Sequence, residues 1–395
     1  MISVEEAKNI ILKTTQDFGV EEIPFIKSVG RILKEEIVAD RDFPPFNRVS
    51  MDGIAINYSS FKKGQRNFKI EGIQAAGSKQ ITLQNSENCI EVMTGAVLPN
   101  KTSAVIRYED LTIKNGIATI NIETVNDRQN IHGKGKDGKT GDVLIKQNTK
   151  ISAAEIGVLA TVGKSTVKVV KQPKVMIVST GDELVGVEEK PLEHQIRRSN
   201  VFTLVSLLER IHISSETDHI TDDKPILKEK IKKYLQEYDV LLFSGAVSKG
   251  KFDYLPEIFE ELGVEKLFHK VAQRPGKPFF YGKTDKCNVF GFPGNPISTF
   301  VNCLAYFYPW YHKSVGLKTK VETAILGEAI SFKPNLTYFL QVKLESKFGH
   351  LVTFPIKGNG SGDLASLVKT DAFIQLPKEQ IEFKKGEVFP IIKYR

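Results

Sequence analysis

At 395 residues the chain is longer than one hydrophobic core usually supports, so about two to four domains are expected. Its 41% hydrophobic and 26% charged residues are the balance of a soluble globular protein, and its formal net charge of +8 favours anionic ligands. The basic residues are spread without a tract or basic–aromatic interleaving, which argues against nucleic-acid binding. Cys89, Cys287 and Cys303 have neither zinc spacing nor a disulfide pattern. No basic–apolar leader precedes Glu5 and Glu6, and no stretch approaches the ~18 apolar residues of a membrane span, so a reducing, cytoplasmic setting is expected.

The chain opens with a helix signal. Ser3 and Glu6 have capping-box spacing, and Val4, Ala7, Ile10 and Ile11 fall on one face. From about residue 57 to 137 the pattern turns to short alternating strands. The clearest signal there is a hairpin, in which 111–114 and 117–122 flank Asn115-Gly116, a pair suited to a type I′ turn. After Lys171-Gln172-Pro173 strands alternate with helices. Strands are predicted over 174–178, 240–243 and 289–292. Helices are predicted over 201–211 (capped by Ser199 or Asn200), 224–235, 255–262 and 296–308. This βα alternation predicts a doubly wound, mainly parallel sheet. Beyond about Lys318 the strand pattern returns (338–344, 351–354, 373–376, 388–392), as in a small β-barrel or sandwich. The expected organisation is an α/β multidomain chain. An N-terminal domain comprises 1–45 and 138–170, with a β domain, 46–137, inserted in it. An α/β domain (171–316) and a C-terminal β domain (317–395) follow.

Ligands of open α/β sheets bind beyond the carboxyl ends of the strands. Here the first strand runs into Ser179-Thr180-Gly181-Asp182-Glu183. The second runs into Ser244-Gly245 and on to Ser248, Lys249, Gly250 and Asp253, and the last into Pro293-Gly294-Asn295-Pro296 at a helix start. The glycines let backbone N–H groups approach an oxyanion, and the helix start adds free donors for phosphate. Asp182, Glu183 and Asp253 are hard oxygen ligands of the kind that hold Mg²⁺ beside a phosphate. The alternative is that these are turn glycines and helix-capping carboxylates. Three such motifs on one sheet edge favour a phosphate or nucleotide site. Lys270, Arg274 and Lys277 sit in a stretch whose prolines, Pro275 and Pro278, hold the backbone and present the cations to phosphate, sulfate or molybdate oxygens. Ser50-Met51-Asp52-Gly53 and Met93-Thr94-Gly95-Ala96 are explained by turn chemistry alone, and Gly358–Gly362 is a glycine-rich loop that either touches a ligand or only joins strands. His194, His219 and His269 are scattered and no nucleophile elbow is present, so a hydrolase triad or catalytic zinc finds little support.

In this order the motifs resemble those of the molybdopterin molybdenumtransferases, called MoeA in bacteria and found as the E domain of gephyrin. The resemblance spans essentially the whole chain. It is carried by Pro44–Gly53, Met93–Ala96, Ser179–Leu184, Ile196–Asn200, Ser244–Tyr254, Arg274–Pro278, Phe292–Ser298 and Gly358–Ser361. It implies a four-part, elongated homodimer with a central molybdopterin-binding α/β domain and an active site shared between subunits. The implied reaction is insertion of molybdate into adenylylated molybdopterin with Mg²⁺ present and release of AMP. Glu183, Asp253 and Asp223 (or Asp222) would surround nucleotide and metal, with Glu183 and Asp253 as the metal ligands. Lys270, Arg274 and Lys277 would hold phosphate and molybdate oxygens, and Asp52 and Thr94 would come from the other subunit. Thr180, Gly181, Asp182, Ser244, Gly245, Ser248, Gly250, Pro293, Gly294, Asn295 and Ser361 are the further expected substrate contacts. The adenylyltransferase that supplies the substrate and the apo-molybdoenzymes that receive the product are the expected protein partners.

The chain also departs from the family pattern. Ile54 stands in place of tyrosine, Ala246 of glycine, Arg274 of lysine, His132 of arginine, and Arg198 of an acidic residue. Three other readings are weaker. A non-catalytic scaffold does not need an acidic and basic site, an adenylyltransferase usually consists of the α/β domain alone, and a generic phosphatase does not explain eight ordered motifs.

Overall fold

The structure is a computed structural model that describes residues 1–245 and 254–395. It contains two compact units. One comprises Met1–Lys34, Asn148–Ser152 and Val167–Arg395, the other Glu35–Gln147 and Ala153–Thr166.

The larger unit is built on a six-stranded sheet. The strands lie in the order Ser215–Ile220, Val175–Thr180, Val240–Ser244, Asn288–Phe292, Phe280–Lys283, Glu265–His269. The first four run parallel, and the last two add an antiparallel edge. The inner strands are buried on both faces, which is why they read as unbroken apolar runs. Val175, Ile177, Leu242 and Phe290 pack with the helix Asn200–Glu209 and the helix that starts at Pro296. Met176, Val178, Leu241 and Phe243 pack on the opposite face with Lys224–Glu237 and Leu255–Glu261. This is the doubly wound arrangement expected.

The outer strands were not expected. Ser215–Ile220 has the sequence SETDHI and buries little besides Ile220, and Glu265–His269 fully buries only Phe268. An edge strand covered on one side only carries no apolar run to betray it. The helix expected to stop at Tyr308 continues to Ser314, through Pro296–Asn302, a π-helical turn Cys303–Phe307, and Tyr308–Ser314. Pro309 lacks the N–H that would close an α turn, and the π turn falls just ahead of it.

The C-terminal strands close into a five-stranded barrel, so the choice between barrel and sandwich falls to the barrel. Its order is Thr337–Lys347, His350–Pro355, Glu322–Leu326, Val388–Lys393, Ala372–Leu376 and back to Thr337–Lys347. Leu326, Val342, Ile374 and Leu376 fill it. The opening helix, Val4–Leu12, has both bonds of its capping box, Glu6 N–H to Ser3 Oγ at 3.1 Å and Ser3 N–H to Glu6 Oε2 at 2.7 Å. Such a cap stabilises a helix by about 1 kcal/mol.

The smaller unit holds a second six-stranded sheet, in the order Ala104–Arg107, Gly53–Ile56, Asn88–Val92, Asn67–Gln74, Ile117–Ile120, Leu111–Lys114. Asn115 (φ 50°) and Gly116 (φ 73°) form the expected hairpin turn, and the second strand ends at Ile120. A short helix, Tyr58–Lys62, capped by Asn57, lies in the stretch expected to be strands only. Among the described residues no helix is long and apolar enough to cross a membrane. All three cysteines are buried and unbridged.

Candidate functional site

Two clefts open at the carboxyl edge of the larger unit's sheet and share Asn295 as a wall. The first, of about 430 Å³, is lined by Arg274, Lys277, Pro293, Asn295 and Ser361, with Tyr338 and Gln341 from the barrel. Its lining carries cations and no carboxylate. The second, of about 290 Å³, is lined by Thr180, Glu183, Arg198, Asn200, Ser244, Gly245 and Gly294.

The cationic loop is held from below. The buried Gln273 donates from Nε2 to Pro275 O at 2.9 Å and to Asn302 Oδ1 at 2.7 Å. The Tyr306 hydroxyl donates to Gln273 Oε1, and Asn302 Nδ2 donates to Gly276 O at 3.4 Å. Burial raises the Tyr306 phenol above its ordinary range, so it remains a donor. Gly276 has φ 86°, and a Cβ there would lie 2.8 Å from the Asn302 amide. Arg274–Pro275 is a cis peptide, and the Arg274 guanidinium lies 6.0 Å from the Phe332 ring centre.

Beside this loop, Asn295 Nδ2 donates to Ser361 Oγ at 2.9 Å, and Ile297 N–H to Ser361 O at 3.1 Å. The C-terminal glycine loop is thereby tied to the start of the Pro296 helix. Thr299 Oγ1 donates to Pro293 O at 2.6 Å and fixes the preceding turn.

The second cleft depends on close backbone approach. Gly245 lies against Thr180, whose carbonyl oxygen would be 3.2 Å from an added Cβ, and Gly294 lies against Gly245. Gly181 has φ 129°, and a Cβ there would meet the Glu183 carboxylate at 2.4 Å. Only glycine leaves Glu183 its place over the strand end. Asn200 Nδ2 donates to Ser244 Oγ at 2.8 Å and Gly294 O at 2.7 Å, joining the strand ends across the cleft.

The expected carboxylates divide by role. Glu183 lines the second cleft. Asp182 Oδ1 accepts the Asp222 N–H at 3.1 Å and braces a loop, and Asp223 Oδ1 accepts the Ile226 N–H at 3.0 Å as a helix N-cap. Lys270 (φ 83°) stands just past the strand Glu265–His269 and does not line the first cleft. Ser248, Gly250 and Asp253, like Ala246, lie outside the described residues. Among the described residues no group of three or more His, Cys, Asp and Glu side chains gathers as a metal cage. Mg²⁺ is commonly held by one or two carboxylates together with substrate phosphates and water, and Glu183 offers one such carboxylate.

In the smaller unit Asp52 Oδ1 accepts the Thr94 N–H at 2.6 Å, which joins the two short motifs read in the sequence. That backbone hydrogen bond holds the Asp52 carboxyl below its ordinary range, so it is ionised at neutral pH. A Cβ on Gly53 would lie 1.9 Å from Ile106 O, so the glycine after Asp52 is imposed by the sheet. His132 Nε2 lies 2.8 Å from both Asp137 oxygens.

Gln273, Asn302 and Tyr306 escaped the sequence reading. The one signal was a polar Asn302 within an otherwise apolar helix stretch, which reads equally as a tolerated polar residue.

Comparison with known proteins bears on this arrangement. The chain matches the MoeA N-terminal region (domain I and II) over residues 2–163, the probable molybdopterin binding domain over 176–312, and the MoeA C-terminal region (domain IV) over 323–394. It is 40% identical to the molybdopterin molybdenumtransferase of Synechocystis sp. (strain PCC 6803), with 99% of each chain covered. It is 31% identical to that of Staphylococcus epidermidis (strain RP62A), covering 99% of this chain and 95% of the relative. The crystal structure of the molybdopterin biosynthesis MoeA protein from Pyrococcus horikoshii OT3 superposes with a TM-score of 0.85 at 28% identity, with 100% of both chains covered. Matches to three successive regions, together with full-length relatives, show that the chain belongs to the molybdopterin molybdenumtransferase (MoeA) family.

Proposed function

We propose that this chain inserts molybdate into adenylylated molybdopterin and releases AMP, forming molybdenum cofactor. The observation that carries the reading is the pair of clefts joined at Asn295, one cationic and free of carboxylates in its lining, the other bearing Glu183. An oxyanion substrate suits the first and the nucleotide end of the pterin substrate the second. In the overall change the dithiolene sulfurs replace oxygens of molybdate, which leave as water. The pterin–adenylate phosphoanhydride is hydrolysed, and adenylate departs as AMP.

The residues contribute positioning and charge. Arg274 and Lys277 hold molybdate oxygens, and Lys270 is proposed to join them. Asn295 and Ser361 fix the wall between oxyanion and phosphate. Thr180, Ser244 and the backbones of Gly181, Gly245, Pro293 and Gly294 shape the floor, a task suited to a bond cleavage that needs charge neutralisation more than a protein nucleophile. Ser248 and Gly250 are proposed as further substrate contacts. Glu183 and Asp253 are the proposed ligands of Mg²⁺, which when bound neutralises charge on the adenylate phosphate. The working form is a cytoplasmic homodimer in which the Asp52–Thr94 element of one subunit completes the site of the other. An adenylyltransferase and apo-molybdoenzymes are its proposed upstream and downstream partners.

The test is AMP release from adenylylated molybdopterin and Mg²⁺, with and without micromolar molybdate, read together with activation of an apo-molybdoenzyme. Release that requires molybdate, with activation, is the expected result. Release indifferent to molybdate, without activation, would make the protein a nucleotide hydrolase, and binding without release would make it a carrier.

A further inference from the structure

Arg198 reverses the charge that the family resemblance implies at its position, and the structure places it on the nucleotide-side cleft. Its backbone is set by the short parallel pairing of Leu184–Val185 with Ile196–Arg197, and its N–H donates to Val185 O at 3.0 Å. The side chain is partly buried, and its Nε is shielded from solvent with no hydrogen-bond partner among the described residues. Among the described residues it forms no ion pair.

Two further atoms on this cleft share that condition. Thr180 Oγ1 is unpartnered among the described residues although the residue is only 4% exposed. Asn200 Oδ1 is likewise unpartnered among the described residues, while its Nδ2 donates to Ser244 and Gly294. Buried polar atoms in folded proteins are nearly always paired, so three on one small cleft indicate a ligand that completes them.

The chemistry of that ligand follows from the donors. Arg198 Nε and the Thr180 hydroxyl offer hydrogens. Beside them begins the helix Asn200–Glu209, with no side-chain cap and no acidic residue in its first turn, so its first amides are also available. A positive, donor-rich pocket with Gly245 and Gly294 in its floor suits a phosphate monoester. Asn200 Oδ1 is an acceptor on the same cleft for a neighbouring hydroxyl, as a ribose has. The Arg198 charge also acts on its surroundings: burial, then Arg198, lowers the pKa of His219.

We propose that Arg198 is a specificity-determining residue that, with Thr180 and the helix amides, grips the phosphate of a nucleoside monophosphate, so that this chain distinguishes AMP from adenosine by charge. The inference rests on the insertase reading in one respect, namely that the substrate carries an adenylate. The pterin's own phosphate ester has the same chemistry, and the experiment separates the two sources.

The full chain, as wild type, Arg198→Gln and Arg198→Lys, is titrated calorimetrically with AMP, adenosine and 6-hydroxymethylpterin phosphate, and melting curves check that each variant is folded. We expect Arg198→Gln to weaken AMP by roughly 10- to 100-fold, the worth of a charge-assisted hydrogen bond. Adenosine affinity is unchanged, and Arg198→Lys recovers part of the loss. Unchanged AMP affinity in Arg198→Gln, equal losses for AMP and adenosine, or a loss confined to the pterin phosphate would each overturn the assignment. Activation of an apo-molybdoenzyme by wild type is scored separately. If activation succeeds while the AMP series fails, the Arg198 assignment falls and the insertase reading stands. If AMP is discriminated without activation, the reverse holds.

Discussion

Gln273 Nε2 donates to Asn302 Oδ1 at 2.7 Å, and this contact joins the loop bearing Arg274 and Lys277 to the helix that follows Pro293-Gly294-Asn295. This buried pair is one of the ties between the cationic loop and the helix that also lines the cleft. Neither side chain lines up with the expected chemistry, yet together they decide where the cations stand.

Asn302→Leu removes the acceptor for Gln273 and the donor to Gly276 O. Leaving a buried amide unpaired costs about 1–3 kcal/mol. We expect a loss of stability of that size in urea unfolding, accompanied by a weaker apparent affinity for molybdate. An unchanged unfolding midpoint and unchanged molybdate titration would show that the loop holds its shape without the pair.

Gly181→Ala places a methyl against the Glu183 carboxylate at a backbone angle that side chains rarely adopt. The carboxylate has to move. Displacing a catalytic group by about 1 Å can cost roughly 100-fold in rate, so molybdate-dependent AMP release should fall by that order. Molybdate binding, at the other cleft, should persist. Full turnover in this variant would remove Glu183 from the proposed machinery.

Arg274→Ala and Lys277→Ala each delete a cation from a cleft whose lining has no carboxylate to offset it. Each should weaken molybdate by roughly 10- to 100-fold, as expected for a charge-assisted contact. Arg274→Lys should lose less, because charge survives while the planar fork does not. Equilibrium titration with molybdate in the absence of pterin checks this directly, and adenosine binding serves as the control that should not move.

Stability should fall as the solution is acidified below about pH 6.5. Burial, then the Lys150 charge, lowers the pKa of His312 below its ordinary 6.5, and burial, Lys150 and Arg31 do the same for His212. The unfolded chain takes up these protons at the ordinary value, while the folded chain resists until lower pH. Between the two the unfolded state binds more protons, so the contribution is complete above about pH 6.5 and is lost as pH falls through the folded value. Urea midpoints for wild type and His312→Phe at pH 7.5 and 5.5 test this. The phenylalanine variant should show the smaller drop, and equal drops would place the effect elsewhere.

Much of the fold was legible because it depends on neighbours in sequence. The Ser3–Glu6 cap spans one helical turn, the Asn115-Gly116 turn needs two residues of positive φ, and Val175–Thr180 and Val240–Ser244 show their burial as apolar runs. Ser215–Ile220 was not legible, because at the sheet edge it carries polar residues and its pairing with Val175–Thr180 is made across about forty residues of chain. The candidate site followed the same division. The glycine and proline motifs at the strand ends were visible as punctuation, whereas Gln273, Asn302 and Tyr306 look in sequence like unremarkable residues beside them.

By itself the sequence determined the alternation of strands and helices, a property of periodicity, and carried in order the motifs whose resemblance points to the family. Tertiary structure alone decided which carboxylates are spent and which are presented. Asp182 is bound to the backbone of Asp222 and Asp223 to that of Ile226, while Glu183, next in the chain to Asp182, lines a cleft. In sequence Asp182 and Glu183 read alike as acids at a strand end, and Asp223 is marked only by the family resemblance. A carboxylate's role depends on which N–H groups the fold brings within about 3 Å of it, and for Asp182 that partner stands forty residues away.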